Sequence, residues 1–194
     1  MIAELKLQAR RRDRLVDWLV VALVLVALLL GWGVKSAAEG RTTVAEVEGL
    51  SIRYPAGWLK TEVEPPVLLQ VEEWLGPARS VITVQRRPLP AVDNPLAAVE
   101  QALTLERARG RMAYRTLETK ENVAIAGRTA QRTAFAYVET DPNPFLQTMP
   151  VVMYGEDYLI PVGDQVYVVT LTAAEAYYDR ARRALDPVIR SLPR

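Results

Sequence analysis

Residues 50–58 read LSIRYPAGW. Leu50–Tyr54 has the alternation of a half-buried strand, and it runs straight into Pro-Ala-Gly-Trp. Proline removes a ladder donor and so ends a strand. Glycine admits a turn that other residues avoid. A large aromatic directly after such a turn folds back onto the strand it has just left. Trp58 is therefore expected to plug a core, where burying its surface is worth a few kcal/mol.

Outward from this stretch the chain alternates strands with two helices. Upstream, Thr43–Val47 pairs with Leu50–Tyr54 around Glu48-Gly49. Downstream, Val67–Glu72 and Ser80–Arg86 repeat with period two, and Gly76-Pro77 breaks between them. Asn94-Pro95 supplies a cap and a first-turn proline for a helix that Gly110 ends. Leu96, Val99 and Leu103 share its apolar face.

Tyr114–Thr119 and Val123–Ala126 flank a polar turn, and Gly127 leads into Thr129–Val138. Val151–Tyr154, Tyr158–Val162 and Gln165–Leu171 complete the strands. A closing helix over about Ala173–Leu185 carries the stripe Ala174, Tyr177, Tyr178, Ala181 and Leu185. Pro187 bends or restarts it. The order is β-rich, helix, β-rich, helix with hairpin connections, which predicts an α+β fold.

Ahead of this domain, Leu15–Val34 (LVDWLVVALVLVALLLGWGV) is apolar without interruption after Asp17. Its length suits a transmembrane helix. Trp18 and Trp32 stand near its ends, as interfacial aromatics do, and Asp17 lies one turn from Arg14 at the inner boundary. Arg10, Arg11, Arg12 and Arg14 precede it, so the N-terminus is expected in the cytoplasm and the rest outside. Ser36-Ala37-Ala38 resembles a cleavage site, but the apolar run exceeds that of ordinary signal peptides, so an uncleaved anchor is expected. The expected organisation is a basic tail over 1–14, a transmembrane helix over 15–34, a linker over 35–43 and an extracytoplasmic domain over 44–194.

Composition narrows the chemistry. The chain has 194 residues, half of them hydrophobic, and a net charge of +1. No basic excess points to nucleic acid. There is no cysteine and no histidine. Disulfides, Cys–His and Ser–His–Asp catalysis and the usual zinc, iron and copper ligands are thereby excluded. Lysine and asparagine are scarce beside arginine, which suits a thermophile or a GC-rich genome.

Oxygen-ligand and carboxylate chemistry remain. The loop ETDPNP spaces Glu139, Asp141 and Asn143 alternately, as ligands of a hard cation such as calcium are spaced. It lacks the glycine and distal glutamate of a calcium loop, and a proline-rich polar turn is the plainer reading, so no cofactor is expected. Glu72-Glu73 and Glu156-Asp157 are carboxylate pairs with no partner in view and read as solvated turns. Arg107, Arg109 and Arg111 crowd the end of the first helix. Arg180, Arg182 and Arg183 crowd the last, where they complement the helix dipole or face a partner or lipid headgroups. Trp74 and Leu75 form a candidate contact tip.

Several of these stretches together resemble the PsbP-like, or Mog/PsbP-like, family. They are LSIRYPAGW, then VAIAGRTAQRTAFAY over Val123–Tyr137, then GDQVYVVTLTAAEAYYDRARRALDPVIRSL over Gly163–Leu192. The resemblance covers nearly all of residues 44–194. It implies an α-β-α sandwich with a central, mostly antiparallel sheet, and a non-enzymatic protein. Joined to the anchor, it suggests an accessory or assembly subunit of a photosynthetic or respiratory membrane complex. The alternative is a stand-alone envelope domain that binds a small ligand or lipid in a deep apolar pocket. A carboxylate-based hydrolase would instead need two acidic side chains facing each other in a cleft.

Overall fold

The computed structural model describes residues 18, 20–33, 40–75, 78–140 and 150–193, with the backbone alone described at Leu75 and Ala78. The chain divides into two compact units, Met1–Arg41 and Thr42–Arg194.

In the first unit, residues 18 and 20–33 are helical (α1). Its described side chains are exposed, Trp18 at 73% and Trp32 at 70%. Residues 20–33 rise about 21 Å at helical pitch, short of the ~30 Å hydrocarbon core. No helix among the described residues is long and apolar enough to cross a membrane. Residues 15–17, 19 and 34 of the expected span lie outside the described residues, as do Arg10, Arg11, Arg12 and Arg14.

The second unit is α+β. A hairpin of β1 (Thr42–Val47) and β2 (Leu50–Pro55) forms its own two-stranded sheet. Glu48 and Gly49 both have positive φ, 48° and 77°, the backbone of a tight primed turn. The main sheet has seven strands. They are β3 (Leu59–Thr61), β4 (Val67–Leu75), β5 (Ala78–Pro88), β6 (Met112–Ile125), β7 (Arg128–Glu139), β8 (Val151–Val162) and β9 (Gln165–Ala174). Their order is β3-β4-β5-β9-β8-β7-β6, and all neighbours are antiparallel. The helices are α2 (Pro95–Gly110), α3 (Tyr178–Arg183) and α4 (Leu185–Ser191).

Alternation along the central strands divides the interior in two. Tyr158, Ile160, Tyr167, Val169 and Leu171 join Ile82, Val84, Leu69 and Val71 on one face. Ala181, Leu185, Val188 and Ile189 of α3 and α4 cover them, and Ile52, Tyr54 and Trp58 belong to the same cluster. On the other face Leu159, Val166 and Val168 pack against Val99 and Leu103 of α2. Farther along that face Phe135, Tyr137 and Met153 form a smaller aromatic cluster, with Tyr114 and Tyr177 against it.

The opening stretch folds as its residues require, with one difference. Pro55 ends β2, the Trp58 amide donates to the Pro55 carbonyl at 3.0 Å, and Trp58 is buried. Gly57, however, is not in the left-handed region, and nothing lies within 4 Å of a Cβ built on it. The turn rests on proline and tryptophan more than on glycine.

Four boundaries differ from expectation. Leu59–Thr61 forms a short strand on β4. Tyr114–Thr119 and Val123–Ala126 belong largely to one strand, β6, whose register shifts between Lys120 and Val123 and whose Asn122 has φ 54°. Val151–Tyr154 and Tyr158–Val162 are one strand, β8. Ala173 and Ala174 still belong to β9, and the closing helix begins only at Tyr178 after a 3-10 turn at Glu175–Tyr177. Asn94 caps α2 as read: its Oδ1 accepts from the Ala97 amide at 3.2 Å.

Candidate functional site

Glu156 and Asp157 sit in the middle of β8 with side chains 1% and 2% exposed, not in a solvated turn. Successive strand residues face opposite ways. The two carboxylates therefore enter different layers, and this pair cannot act as a catalytic dyad. Glu72 and Glu73 behave alike within β4. Glu72 lies near Trp74 and Arg79, and Glu73 pairs with Arg180 at 2.7 Å.

Asp157 is held by Arg107, near the end of α2. Arg107 Nη2 donates to Asp157 Oδ1 at 2.7 Å, and Nη1 pairs with Oδ2. Thr170 on β9 donates to Oδ1, also at 2.7 Å. Burial opposes the charge on Arg107, but the Asp157 carboxylate outweighs it and holds the guanidinium above its ordinary range. Arg107 also lies 4.5 Å from the centre of the Phe135 ring, and Arg111 lies 4.1 Å from that of Tyr137. Burial lowers the Arg111 pKa.

Gly155 faces the same cluster from β8. It stands opposite Phe135 in register, and a Cβ there would collide with the ring. Absence of a side chain is what lets Phe135 lie flat across the strand.

Glu156 enters the layer under α3. Arg132 Nε donates to its Oε1 at 2.8 Å, and Arg132 Nη2 pairs with the same oxygen. The Tyr158 hydroxyl donates to Oε2 at 2.6 Å, and Arg182 Nε lies 3.5 Å from it. Burial raises the carboxyl pKa, but Tyr158 and Arg132 outweigh it, and the net shift is downward. Burial and the Glu156 charge push the Tyr158 phenol up to about 12, and Tyr178 upward for the same reasons.

The remaining sites read from sequence are scattered. Glu139 ends β7 and lies 3.6 Å from Arg79, whereas Asp141 and Asn143 lie outside the described residues. No group of three or more acidic side chains among the described residues is placed to hold a metal. Trp74 is 58% exposed, and the side chain of Leu75 lies outside the described residues. Arg180 and Arg182 reach back to Glu73 and Glu156, whereas Arg183 is exposed with no carboxylate partner among the described residues. Arg107 and Arg111, expected as solvated dipole partners, are instead packed on aromatic rings.

Open clefts mark the surface among the described residues of this unit. One, of 580 Å³, lies between β1–β2 and α4 and is lined by Thr42, Ser51, Arg53, Asp186, Arg190 and Ser191. One of 270 Å³ is lined by Val123–Ala126, Tyr158, Arg182, Leu185 and Asp186. A third, of 190 Å³, lies near Asn94, Asn122 and Gln131. None is a closed apolar chamber. Sequence reasoning passed over Arg53 and Arg190, because only the pairing of β2 with α4 brings them to one cleft.

No protein-family model matches the sequence, and no curated protein matches it. Among solved structures the chain is similar to the solution structure of cyanobacterial PsbP (CyanoP) from Synechocystis sp. PCC 6803. Identity is 12%, the TM-score is 0.48, and 77% of this chain and 90% of that one are covered. It is similar also to the Ran-binding protein Mog1p of Saccharomyces cerevisiae, at 14% identity and a TM-score of 0.47, over 78% of this chain and 94% of that one. A third is LpqN of Mycobacterium tuberculosis, described as involved in cell envelope biogenesis, at 13% identity and a TM-score of 0.43, over 77% and 81%. At these values the likenesses bear on neither activity nor partner.

Proposed function

We propose that the chain is a membrane-anchored, non-catalytic accessory or assembly subunit of a membrane protein complex, photosynthetic or respiratory, with a PsbP-like domain outside the cytoplasm. The observation that carries this reading is the apolar run Leu15–Val34 behind a tail of arginines. The described part of that run supports it. Leu23, Leu28, Leu29 and Leu30 are each at least 64% exposed, and the intervening valines face solvent too. A helix apolar on all sides needs lipid or protein around it.

Carboxylate placement in the folded unit also supports a non-catalytic role. Glu73, Glu156 and Asp157 are each held by an arginine that also ties the sheet to another element or strand. The open clefts, with linings that mix polar and apolar residues, favour a surface that docks over a chamber that encloses an apolar ligand.

A tagged full-length chain, solubilised from its own membranes in mild detergent, tests the reading. Stoichiometric co-purification of other membrane subunits is the expected outcome. A persistent monomer would sink it.

A further inference from the structure

We propose that the outer surface of α3–α4, together with the 580 Å³ cleft beside it, seats on the anionic phospholipid headgroups of the membrane that anchors the chain. This rests on the anchored reading above and adds to it which side of the domain faces the bilayer and which residues hold it there.

Charge is unevenly placed in this molecule. The whole chain carries only +1, yet Tyr178–Ser191 holds four arginines against two aspartates. Arg180, Arg182, Arg183 and Arg190 are all exposed. Arg53, on β2, adds a fifth cation across the cleft from Arg190. Its backbone amide donates to Ser191 Oγ at 3.0 Å, which ties β2 to α4 and fixes the two arginines as the walls of one cleft.

The donors left in that cleft suit a phosphate. Arg53 has no ion-pair partner among the described residues, and its guanidinium offers a planar fork to phosphate oxygens. Arg190 is 67% exposed and spends one nitrogen on Asp186 at 2.9 Å. The Thr42 hydroxyl is another potential donor. Ser51 already donates to Glu46 at 2.6 Å and Ser191 to the Val188 carbonyl at 2.7 Å, so the serines shape the cleft without contributing donors. Asp186 and Glu46 limit the local positive field; on α3, Arg180 and Arg182 are paired with Glu73 and Glu156, which leaves Arg183 as the exposed cation there with no carboxylate partner among the described residues.

Position points to a lipid as the source of that phosphate. Thr42 both begins the folded unit and lines the cleft. Eight peptide steps separate it from Val34 in the sequence, a tether of at most about 28 Å when fully extended. Free phosphate would have no reason to favour the side on which the tether arrives. Each arginine near an anionic leaflet contributes ~1 kcal/mol.

Because the chain contains no cysteine, a single introduced one is a unique labelling site. Full-length protein is placed in nanodiscs of phosphatidylcholine alone or with phosphatidylglycerol added, with a paramagnetic quencher on a headgroup. A fluorophore is attached at Ala176→Cys, on the α3 side, or at Gln101→Cys, on exposed α2. In anionic discs the label at 176 should be quenched more than that at 101, and the difference should shrink in high salt. Arg53→Gln with Arg190→Gln should cut it about fivefold or more, whereas Arg109→Gln on the α2 side should leave it unchanged. Circular dichroism shows whether the double variant is folded, and the salt series tests the same point without any substitution.

Equal quenching at both labels, or a difference indifferent to lipid charge, would overturn the proposal. So would inorganic phosphate protecting Arg53 from guanidinium-modifying reagent where anionic lipid does not. A chain that fails to enter the discs at all would overturn the anchored reading itself, and gel filtration registers that before any quenching is measured.

Discussion

Glu156 and Asp157 are neighbours in one strand and meet two different worlds. Asp157 faces a layer where its partner Arg107 is only 10% exposed and is sandwiched between the carboxylate and the Phe135 ring. Glu156 faces a layer where Arg132 is 20% exposed and Arg182 is 53% exposed. The first is a closed clamp between α2 and the sheet. The second opens through Arg182 onto the surface of α3. The difference teaches that burial of an acid matters less than burial of the cation that remains when the acid is removed.

The two largest expected effects are of similar size, and the first lies beside the Asp157 clamp. Gly155→Ala should drive a methyl group into Phe135 and displace it from Arg107, destabilising the domain by about 3 kcal/mol in urea unfolding. An unchanged midpoint would mean that the aromatic cluster is loose. Next, Asp157→Asn should cost about 3 kcal/mol, because Arg107 is left buried without its charge partner. Glu156→Gln should cost less, about 1–2 kcal/mol, because Arg182 and the edge of Arg132 can turn to water. Equal losses from the two variants would erase the distinction between the faces.

Acid sharpens the same contrast. The folded-state pKa of Glu156 is depressed below its ordinary value of 4.5, so its contribution is fully present above that value. It should be lost as pH falls from about 4.5 through the depressed pKa. Unfolding midpoints of the parent and of Glu156→Gln should therefore converge as the solution is acidified, and parallel curves would contradict the assignment. The smallest effect concerns how α2 starts. Asn94→Ala removes the cap on Ala97 and should cost about 1 kcal/mol.

Local patterns were enough for some of this architecture and silent on the rest. The β1–β2 hairpin, the buried Trp58 and the limits of α2 are written in short-range chemistry: turn residues, a proline, a cap and an apolar repeat. The continuity of β8 is not. Gly155-Glu156-Asp157 reads as a turn because glycine and two acids weaken any strand pattern. What rescues it is distant in the chain: Phe135 fills the space over Gly155, Arg132 meets Glu156, and Arg107 meets Asp157 from 50 residues away. The start of the last helix slipped for a related reason, since alanines at 173 and 174 suit either state and only pairing with Tyr154 and Met153 keeps them in β9. The arginine clusters were visible as composition, but which arginines turn inward onto rings and acids depends on that same pairing.

Both the subunit role and the headgroup contact require the tether. Alkaline carbonate extraction of membranes from cells expressing the full chain, beside one lacking residues 1–34, asks the question most directly. The full chain should remain in the membrane pellet while the shortened one is released. Release of the full chain into the carbonate supernatant would contradict the anchor, and with it both the subunit and the headgroup readings.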